Sequence, residues 1–147
     1  MKISATIITY NEERNLPRAL ESLRCADEIV VIDSGSTDRT VEIAKNLGAR
    51  VVETVWRGYA KQKNFAAEQA AHDWILSLDA DESLSEALEA EIWRVKKHGP
   101  QYDAYTMPRQ ARYWAAGSGI RVGIPTARCG STIAARPHGW AITFTSQ

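Results

Sequence analysis

Three clusters rich in carboxylates and hydroxyls stand out in a chain of 147 residues: Thr9-Tyr10-Asn11-Glu12, Asp33-Ser34-Gly35-Ser36-Thr37-Asp38 and Asp79-Ala80-Asp81-Glu82. A rim lined by carboxylates repels a polyphosphate unless a cation stands between them, and hard oxygen ligands favour Mg or Mn ions. Asp79 and Asp81 are the candidate metal ligands. In an extended segment alternate residues point the same way, so one can reach the ion while the other acts through water or substrate. A bare Asp-x-Asp is common, however, and a plainer reading has Asp79 capping the next helix and Asp81 solvated. Tyr10 reads equally well as a packed aromatic with its hydroxyl at the surface. Asp33 and Asp38 could anchor a tight turn and a helix N-terminus, and Lys61 and Lys63 could lie on an ordinary solvated face.

Each cluster follows a segment with the pattern of a strand. Ser4 to Thr9 is the first strand candidate, Glu28 to Asp33 is nearly all apolar until its last residue, as expected of a strand covered on both faces, and Trp74 to Leu78 is a further, buried strand. Arg50 to Val55 and Ala104 to Met107 are further strand candidates. Between them lie helical periods. Leu16, Ala19, Leu20 and Leu23 follow a start at Asn11 or Asn15 with Pro17 early in the helix; Val41, Ala44 and Leu47 form a stripe closed by Gly48. Lys61 to Ala71 forms another helix, and Ser85 to His98 carries Leu88, Ile92 and Val95 on one face before Gly99-Pro100. Alternating strands and helices imply an α/β fold with a parallel sheet, whose ligand crevice lies outside the carboxyl ends of the strands. The three clusters should therefore share one rim, while Trp74 is expected in the core.

Composition excludes several classes. Eighteen Lys plus Arg balance eighteen Asp plus Glu, so overall charge does not indicate a nucleic-acid binder. No apolar run reaches the roughly 20 residues of a membrane span, and the N-terminus lacks a signal-peptide pattern. A cytoplasmic protein is expected. Cys25 and Cys129 have no metal-type spacing and read as reduced thiols.

Taken in order, the strand ending in Tyr10-Asn11-Glu12, the strand ending in Asp33-Ser34-Gly35-Ser36-Thr37-Asp38 and the strand ending in Asp79-Ala80-Asp81 resemble the nucleotide-sugar site of family 2 glycosyltransferases. The resemblance runs from Met1 to about Arg112. It implies the GT-A fold, a Rossmann-like and mostly parallel sheet with helices on both faces, here truncated at the acceptor side. It also implies that Thr9, Tyr10 and Glu12 line the base and ribose of a UDP-sugar donor, and that Asp33 accepts a hydrogen bond from uracil. Asp79 and Asp81 become the Asp-x-Asp pair on the metal and the diphosphate. Trp56-Arg57-Gly58-Tyr59-Ala60-Lys61-Gln62-Lys63-Asn64 resembles a segment of the lipopolysaccharide core subgroup, which includes β-glucosyltransferases, and Lys63 would neutralise diphosphate charge as a point cation. The implied reaction is metal-assisted, inverting transfer to a glycan or lipid-linked glycan acceptor, with peripheral contact at the inner face of a membrane left open. The family's catalytic base lies beyond the Asp-x-Asp strand, and no residue here is assigned to it.

Two rivals accompany this reading. A nucleotidyltransferase would normally carry a Gly-rich, basic loop after the first strand, where this chain has the acidic Tyr10-Asn11-Glu12-Glu13. A catalytically inactive nucleotide-binding fragment keeps the donor half alone, and the sequence after Tyr113 makes that alternative serious. Residues 1–113 are expected to be the donor-binding domain and residues 114–147 an atypical tail in which neither period persists. In the family a stretch resembling Leu-Gly-Arg-Trp-Ile-Arg-His-Ser-Gly-Trp-Tyr-Pro-Asp-Arg-Lys-Val-Arg-Leu should follow the tyrosine. In one coding of that stretch, deletion of a single C after the tyrosine codon yields the sequence of Tyr113 to Gly130. The tail is therefore expected to be read out of its ancestral frame and to pack poorly.

Overall fold

A computed structural model of the protein describes residues 1–107 and 131–135. Cys129, Tyr113 and all of the tail except its 131–135 stretch lie outside the described residues. The elements in chain order are β1 (Ile3–Thr9), α1 (Leu16–Glu21), β2 (Glu28–Asp33), α2 (Thr40–Asn46), β3 (Arg50–Glu53), α3 (Tyr59–Gln69), β4 (Trp74–Asp79), α4 (Glu86–His98), β5 (Ala104–Met107) and β6 (Ser131–Ala135). They build a six-stranded sheet in the order β3-β2-β1-β4-β6-β5. Strands β1 to β4 are mutually parallel, while β6 runs antiparallel to both β4 and β5.

Strand β1 is buried along its whole length, and its alternate residues serve two different layers. Ile3, Ala5 and Ile7 join Leu16, Ala19, Leu20 and Leu23 of the α1 segment, Ala44 of α2 and Ile92 of α4 in the larger core. Ile8 packs with Val30, Ile32 and Ala66, and Ile75 with Ala67 and Ala70, in the smaller clusters beneath α3. Helices α1, α2 and α4 thus cover one face and α3 the other. The small residues Ala66, Ala67 and Ala70 let α3 lie close to strands that present Ser4, Thr6 and Ser77 on that face. Burying one Ile or Leu side chain is worth about 1.5–3 kcal/mol, so this two-sided burial of β1 and β4 is the main source of stability.

The sequence pattern is realised with several differences. Helix α1 ends at Glu21, yet Leu23 remains in the core from the turn beyond it, 1 % exposed. Leu47 does not complete the α2 stripe: it is the C-cap residue and is 43 % exposed, because the helix ends at Asn46 and Gly48, at φ +81°, turns the chain toward β3. Strand β3 stops at Glu53 rather than Val55, where its partner β2 ends at Asp33. Trp74 is only half-buried at the start of β4, tilted against Tyr105 at 6.3 Å between ring centroids. Strand β6 falls in the tail where the sequence pattern showed no element, and its backbone separates β4 from β5.

The amino-terminal rim of the sheet is held by ionic side chains. The Asp27 carboxylate accepts from the Ile3 backbone N–H at 2.8 Å and from Lys96 Nζ of α4 at 2.7 Å. Glu28 accepts from Ser4 Oγ (2.7 Å), the Ala71 N–H (2.8 Å) and Arg50 (3.0 Å). Burial alone would raise both carboxyl pKa values; the hydrogen bonds and the Lys96 and Arg50 charges outweigh it, and both are lowered. A carboxyl whose folded pKa is depressed contributes stability above its unfolded pKa and loses that contribution as pH falls through the folded one. Chemical denaturation from about pH 6 down to about pH 3 should therefore show falling stability, with a shallower fall in Asp27→Asn and Glu28→Gln. At neutral pH each variant should be about 1 kcal/mol less stable than the parent. Identical pH profiles for parent and variants would contradict this role.

Candidate functional site

The parallel register decides which residues end up side by side. Thr9 pairs with Asp33 across β1 and β2, and Ile8 with Asp79 across β1 and β4, so the three polar strand ends lie along one rim. The pleat then sorts them. Thr9 and Asp33 continue the face covered by α1 and α2, whereas Asp79 continues the face covered by α3.

Asp33 is 1 % exposed, and its carboxylate is fully engaged. Oδ1 accepts from Thr9 Oγ1 at 3.0 Å and from Ser36 Oγ at 2.5 Å, and Oδ2 accepts from the N–H groups of Gly35 (2.9 Å) and Ser36 (2.8 Å). These four bonds fold residues 34–36 back over the end of β2, with Gly35 at φ +89° where a side chain would be strained. The turn-holding role raised for Asp33 from sequence is thus part of the geometry.

The loop after β1 is stitched to this turn by side chains. Asn11 adopts φ +53°, a left-handed conformation that Asn tolerates better than most residues. Its N–H donates to Ser36 Oγ at 2.8 Å and its Oδ1 accepts from the Thr37 N–H at 2.8 Å. The Glu12 N–H donates to Thr40 Oγ1 (2.8 Å), and the Glu13 N–H to Asp38 Oδ2 (3.2 Å). Asp38 also accepts from the Thr40 N–H at 2.9 Å at the entry to α2, the helix-start role foreseen for it. Burial would raise its pKa, but the bonds from Thr40 and Glu13 outweigh this and lower it. The Glu12 carboxylate turns back to accept from Asn15 Nδ2 at 2.8 Å. Tyr10 is 59 % exposed.

On the other face Lys63 of α3 reaches the end of β4, where its Nζ lies 2.8 Å from Asp79 Oδ1. The Lys63 side chain is 14 % exposed and that of Asp79 30 %. Beside them Gln62 is fully buried, its Nε2 donating to Ser34 Oγ at 3.1 Å, while its Oε1 has no hydrogen-bond partner among the described residues. Asp79 to Glu82 is not extended as the sequence pattern implied. The Glu82 N–H donates to the Asp79 carbonyl at 3.0 Å, which closes a turn, and Arg18 of α1 donates to the Asp81 carbonyl at 2.9 Å. Asp81 is exposed on that turn. Nor does Asp79 cap α4; Ser85 does, accepting from the Leu88 N–H at 3.2 Å.

The rim therefore brings together two pairs, Thr9 with Asp33 and Lys63 with Asp79. Among the described residues no three His, Cys, Asp or Glu side chains form a ready metal cage. Asp79 and Asp81 nevertheless offer oxygen donors of the type Mg or Mn takes when one or two carboxylates share the ion with substrate phosphates and water. Sequence reasoning missed Asn11, Ser36, Thr40, Gln62 and Arg18 as organisers of this rim. The Asn and hydroxyl residues carried a legible signal, being types that bond locally to backbone, but Gln62 and Arg18 act through contacts 28 and 63 residues away.

Comparison with known proteins agrees with this arrangement. Residues 4–120 match Glycosyl transferase family 2. The lipopolysaccharide core biosynthesis glycosyltransferase LpsC of Rhizobium meliloti is 44 % identical over 93 residues, which cover 60 % of this chain and 34 % of LpsC. The crystal structure of Staphylococcus aureus TarS with UDP-GlcNAc superposes with a TM-score of 0.58 at 27 % identity, over 82 % of this chain and 37 % of that one. The mannosyltransferase PcManGT of Pyrobaculum calidifontis, in complex with GDP-Man and Mn2+, gives 0.58 at 25 % identity, over 74 % and 36 %. The chain spans about a third of the length of the curated relatives it matches. Among the described residues no helix is long and apolar enough to cross a membrane. With the parallel β3-β2-β1-β4 core, the polar rim and the family match over most of its length, the chain belongs to glycosyltransferase family 2 and carries its GT-A fold.

Proposed function

We propose that this chain binds a UDP-sugar at the rim formed by β1, β2 and β4, as the donor half of a metal-assisted, inverting glycosyltransferase. The observation that carries the reading is the register that sets Thr9 beside Asp33 and Ile8 beside Asp79, so that a hydrogen-bonding group and a carboxylate–ammonium pair share one rim. Thr9, Tyr10 and Glu12 line the base and ribose. Asp33 selects uracil by accepting its N3 proton; Thr9 and Ser36 hold Asp33 Oδ1 through hydroxyls, which can rotate to free a lone pair. Asp79 and Asp81 hold Mg or Mn, which when bound neutralises charge on the leaving diphosphate. Lys63 adds a compact positive charge beside the same phosphates. The acceptor hydroxyl oxygen bonds to the anomeric carbon as the bond to the diphosphate oxygen breaks, and the hydroxyl proton passes to a carboxylate base that is not assigned here.

The similarity to LpsC supports a role in lipopolysaccharide core or related envelope polysaccharide synthesis, and in this reading the acceptor is a glycan or lipid-linked glycan and the protein acts in the cytoplasm. TarS with UDP-GlcNAc supports a UDP-sugar donor, and PcManGT with Mn2+ supports the metal. Residues 1–113 form the donor-binding unit in this reading, and residues 114–147 derive from a shifted frame. The family match runs seven residues past that boundary, and β6 joins the sheet from within the tail. The alternative of a nucleotide-binding fragment without turnover therefore stands beside the enzyme.

Three experiments check these assignments. Calorimetry should give UDP binding that requires Mg or Mn, and Asp79→Ala with Asp81→Ala should abolish the metal-dependent part while circular dichroism stays unchanged; unaltered affinity removes the metal-site assignment. Asp33→Ala should lower the UDP-over-GDP preference about tenfold, the scale of one charge-assisted hydrogen bond. Loosening of the 34–36 turn would weaken both nucleotides alike, so the ratio is the readout, and a wild-type preference for GDP would refute the donor reading. Finally, the codons for residues 113–130, read in the frame restored by one inserted nucleotide, should encode the family stretch, and the purified chain should bind donor with little or no sugar transfer. Codons that give no such stretch, or robust transfer, would remove the shifted-frame assignment.

A further inference from the structure

We propose that Gln62 is a positioning residue of the donor rim, which fixes the first turn of α3 against the turn after β2 and so holds the base end and the diphosphate end of one nucleotide in register. This rests on the donor-site reading given above. Gln62 is fully buried, yet its side chain is an amide with two polar ends. Its Nε2 donates to Ser34 Oγ at 3.1 Å, and its Oε1 has no hydrogen-bond partner among the described residues. Ser34 follows Asp33, and its own N–H donates to the Thr9 carbonyl at 3.0 Å. Lys63, the residue after Gln62, lies 2.8 Å from Asp79 Oδ1. One side chain therefore joins the helix that carries Lys63 to the turn that begins at Asp33, and these are the two ends of the proposed donor site.

The energetics argue against a purely structural role. Enclosing an amide oxygen without a partner forfeits its hydration, whereas an apolar side chain of the same shape at that place would forfeit nothing. Much of the contact between α3 and the sheet is made by small apolar side chains: Ala66 in the cluster with Ile8, Val30 and Ile32, and Ala67 and Ala70 with Ile75, alongside a partly buried Phe65. Hydrophobic contact is non-directional, and alanines offer little relief to stop a helix from shifting along the strands. A hydrogen bond is satisfied only over a narrow range of distance and angle, so the bond from Gln62 to Ser34 sets where α3 comes to rest. A ligand that meets both ends of the rim profits from their spacing only while that spacing is held, because its second half then binds at a high effective concentration.

The test compares the full chain with Gln62→Met, which keeps the approximate shape and removes both polar groups, and with Ser34→Ala, which removes the same bond from its other end, so that correct folding of either suffices. Binding of UDP with Mg2+ is measured by calorimetry, and binding of uridine and of pyrophosphate with Mg2+, the two ends of that ligand, by ligand-detected nuclear magnetic resonance. Each variant should bind UDP about tenfold more weakly than the parent while uridine and pyrophosphate each change by less than about twofold, the pattern of lost register between two intact half-sites. Thermal unfolding of Gln62→Met should occur at or above the parent's temperature, because the buried unpaired oxygen is gone. Adding Gln62→Met to Ser34→Ala should lower UDP affinity no further. Unchanged UDP affinity in either folded variant overturns the proposal. A parallel loss of UDP, uridine and pyrophosphate together with lower stability overturns it as well, since Gln62 would then be structural alone. Failure of the donor-site reading appears in the parent itself, as UDP bound no more tightly than uridine or pyrophosphate separately, and removes the inference with it.

Discussion

Strand β1 is buried from end to end and hydrogen-bonded along both edges by parallel neighbours, and this constraint settles the position of nearly every polar group discussed above. A central parallel strand cannot slip by one residue without exchanging the faces of all its side chains. Here a slip would drive Ser4 and Thr6 into the larger core and expel Ile3 and Ile7 from it. The hydrophobic pattern of one seven-residue strand thereby fixes Thr9 against Asp33 and Ile8 against Asp79. The rim inherits its precision from the core.

The two rims of the sheet use charge in different ways. At the amino-terminal rim Asp27 and Glu28 are matched by Lys96 of α4 and Arg50 of β3, and Glu28 also accepts from the Ala71 N–H just past α3, so that the start of β2 is tied to α4, β3 and the end of α3. At the carboxyl-terminal rim Asp33 and Asp38 are satisfied mainly by N–H groups and hydroxyls of their own loops. Such local bonds preorganise a loop without a permanent cationic partner. Asp79 is the exception, paired with a lysine from the opposite layer.

Much of this was legible from the sequence because periodicity and strand-end chemistry are local signals. The boundaries of β2 and α4, the apolar run of β4 and the placement of three polar clusters at strand ends all follow from residues within a few positions of one another. What escaped depends on distance or on competition. Leu47 fits the α2 stripe by spacing, but Gly48 ends the helix before that residue can turn inward. Asp79-Ala80-Asp81 looked extended because a strand precedes it; the turn closed by Glu82, with Arg18 on the Asp81 carbonyl, overrides that inertia. Strand β6 has no amphipathic pattern to betray it and is defined only by the edges it finds on β4 and β5. The pairing of Lys63 with Asp79 is invisible to any short window, since it needs α3 to lie across the sheet first.

The pleat of the sheet adds a final geometric consequence. Asp33 and Asp79 end β2 and β4, the strands on either side of β1, but continue opposite faces, one under the turn beside α1 and α2 and the other beside α3. A compact ligand confined to one face can meet only one of the two carboxylates. An elongated ligand lying across the ends of β2, β1 and β4 can meet both, and neighbouring strands are about 4.8 Å apart, so two strand spacings cover roughly 10 Å. That span suits a molecule with separate flat and anionic parts better than a small sugar or an isolated phosphate. The layer that separates the two carboxylates is β1 itself, which is why the strand that stabilises the fold also sets the length of what its rim can hold.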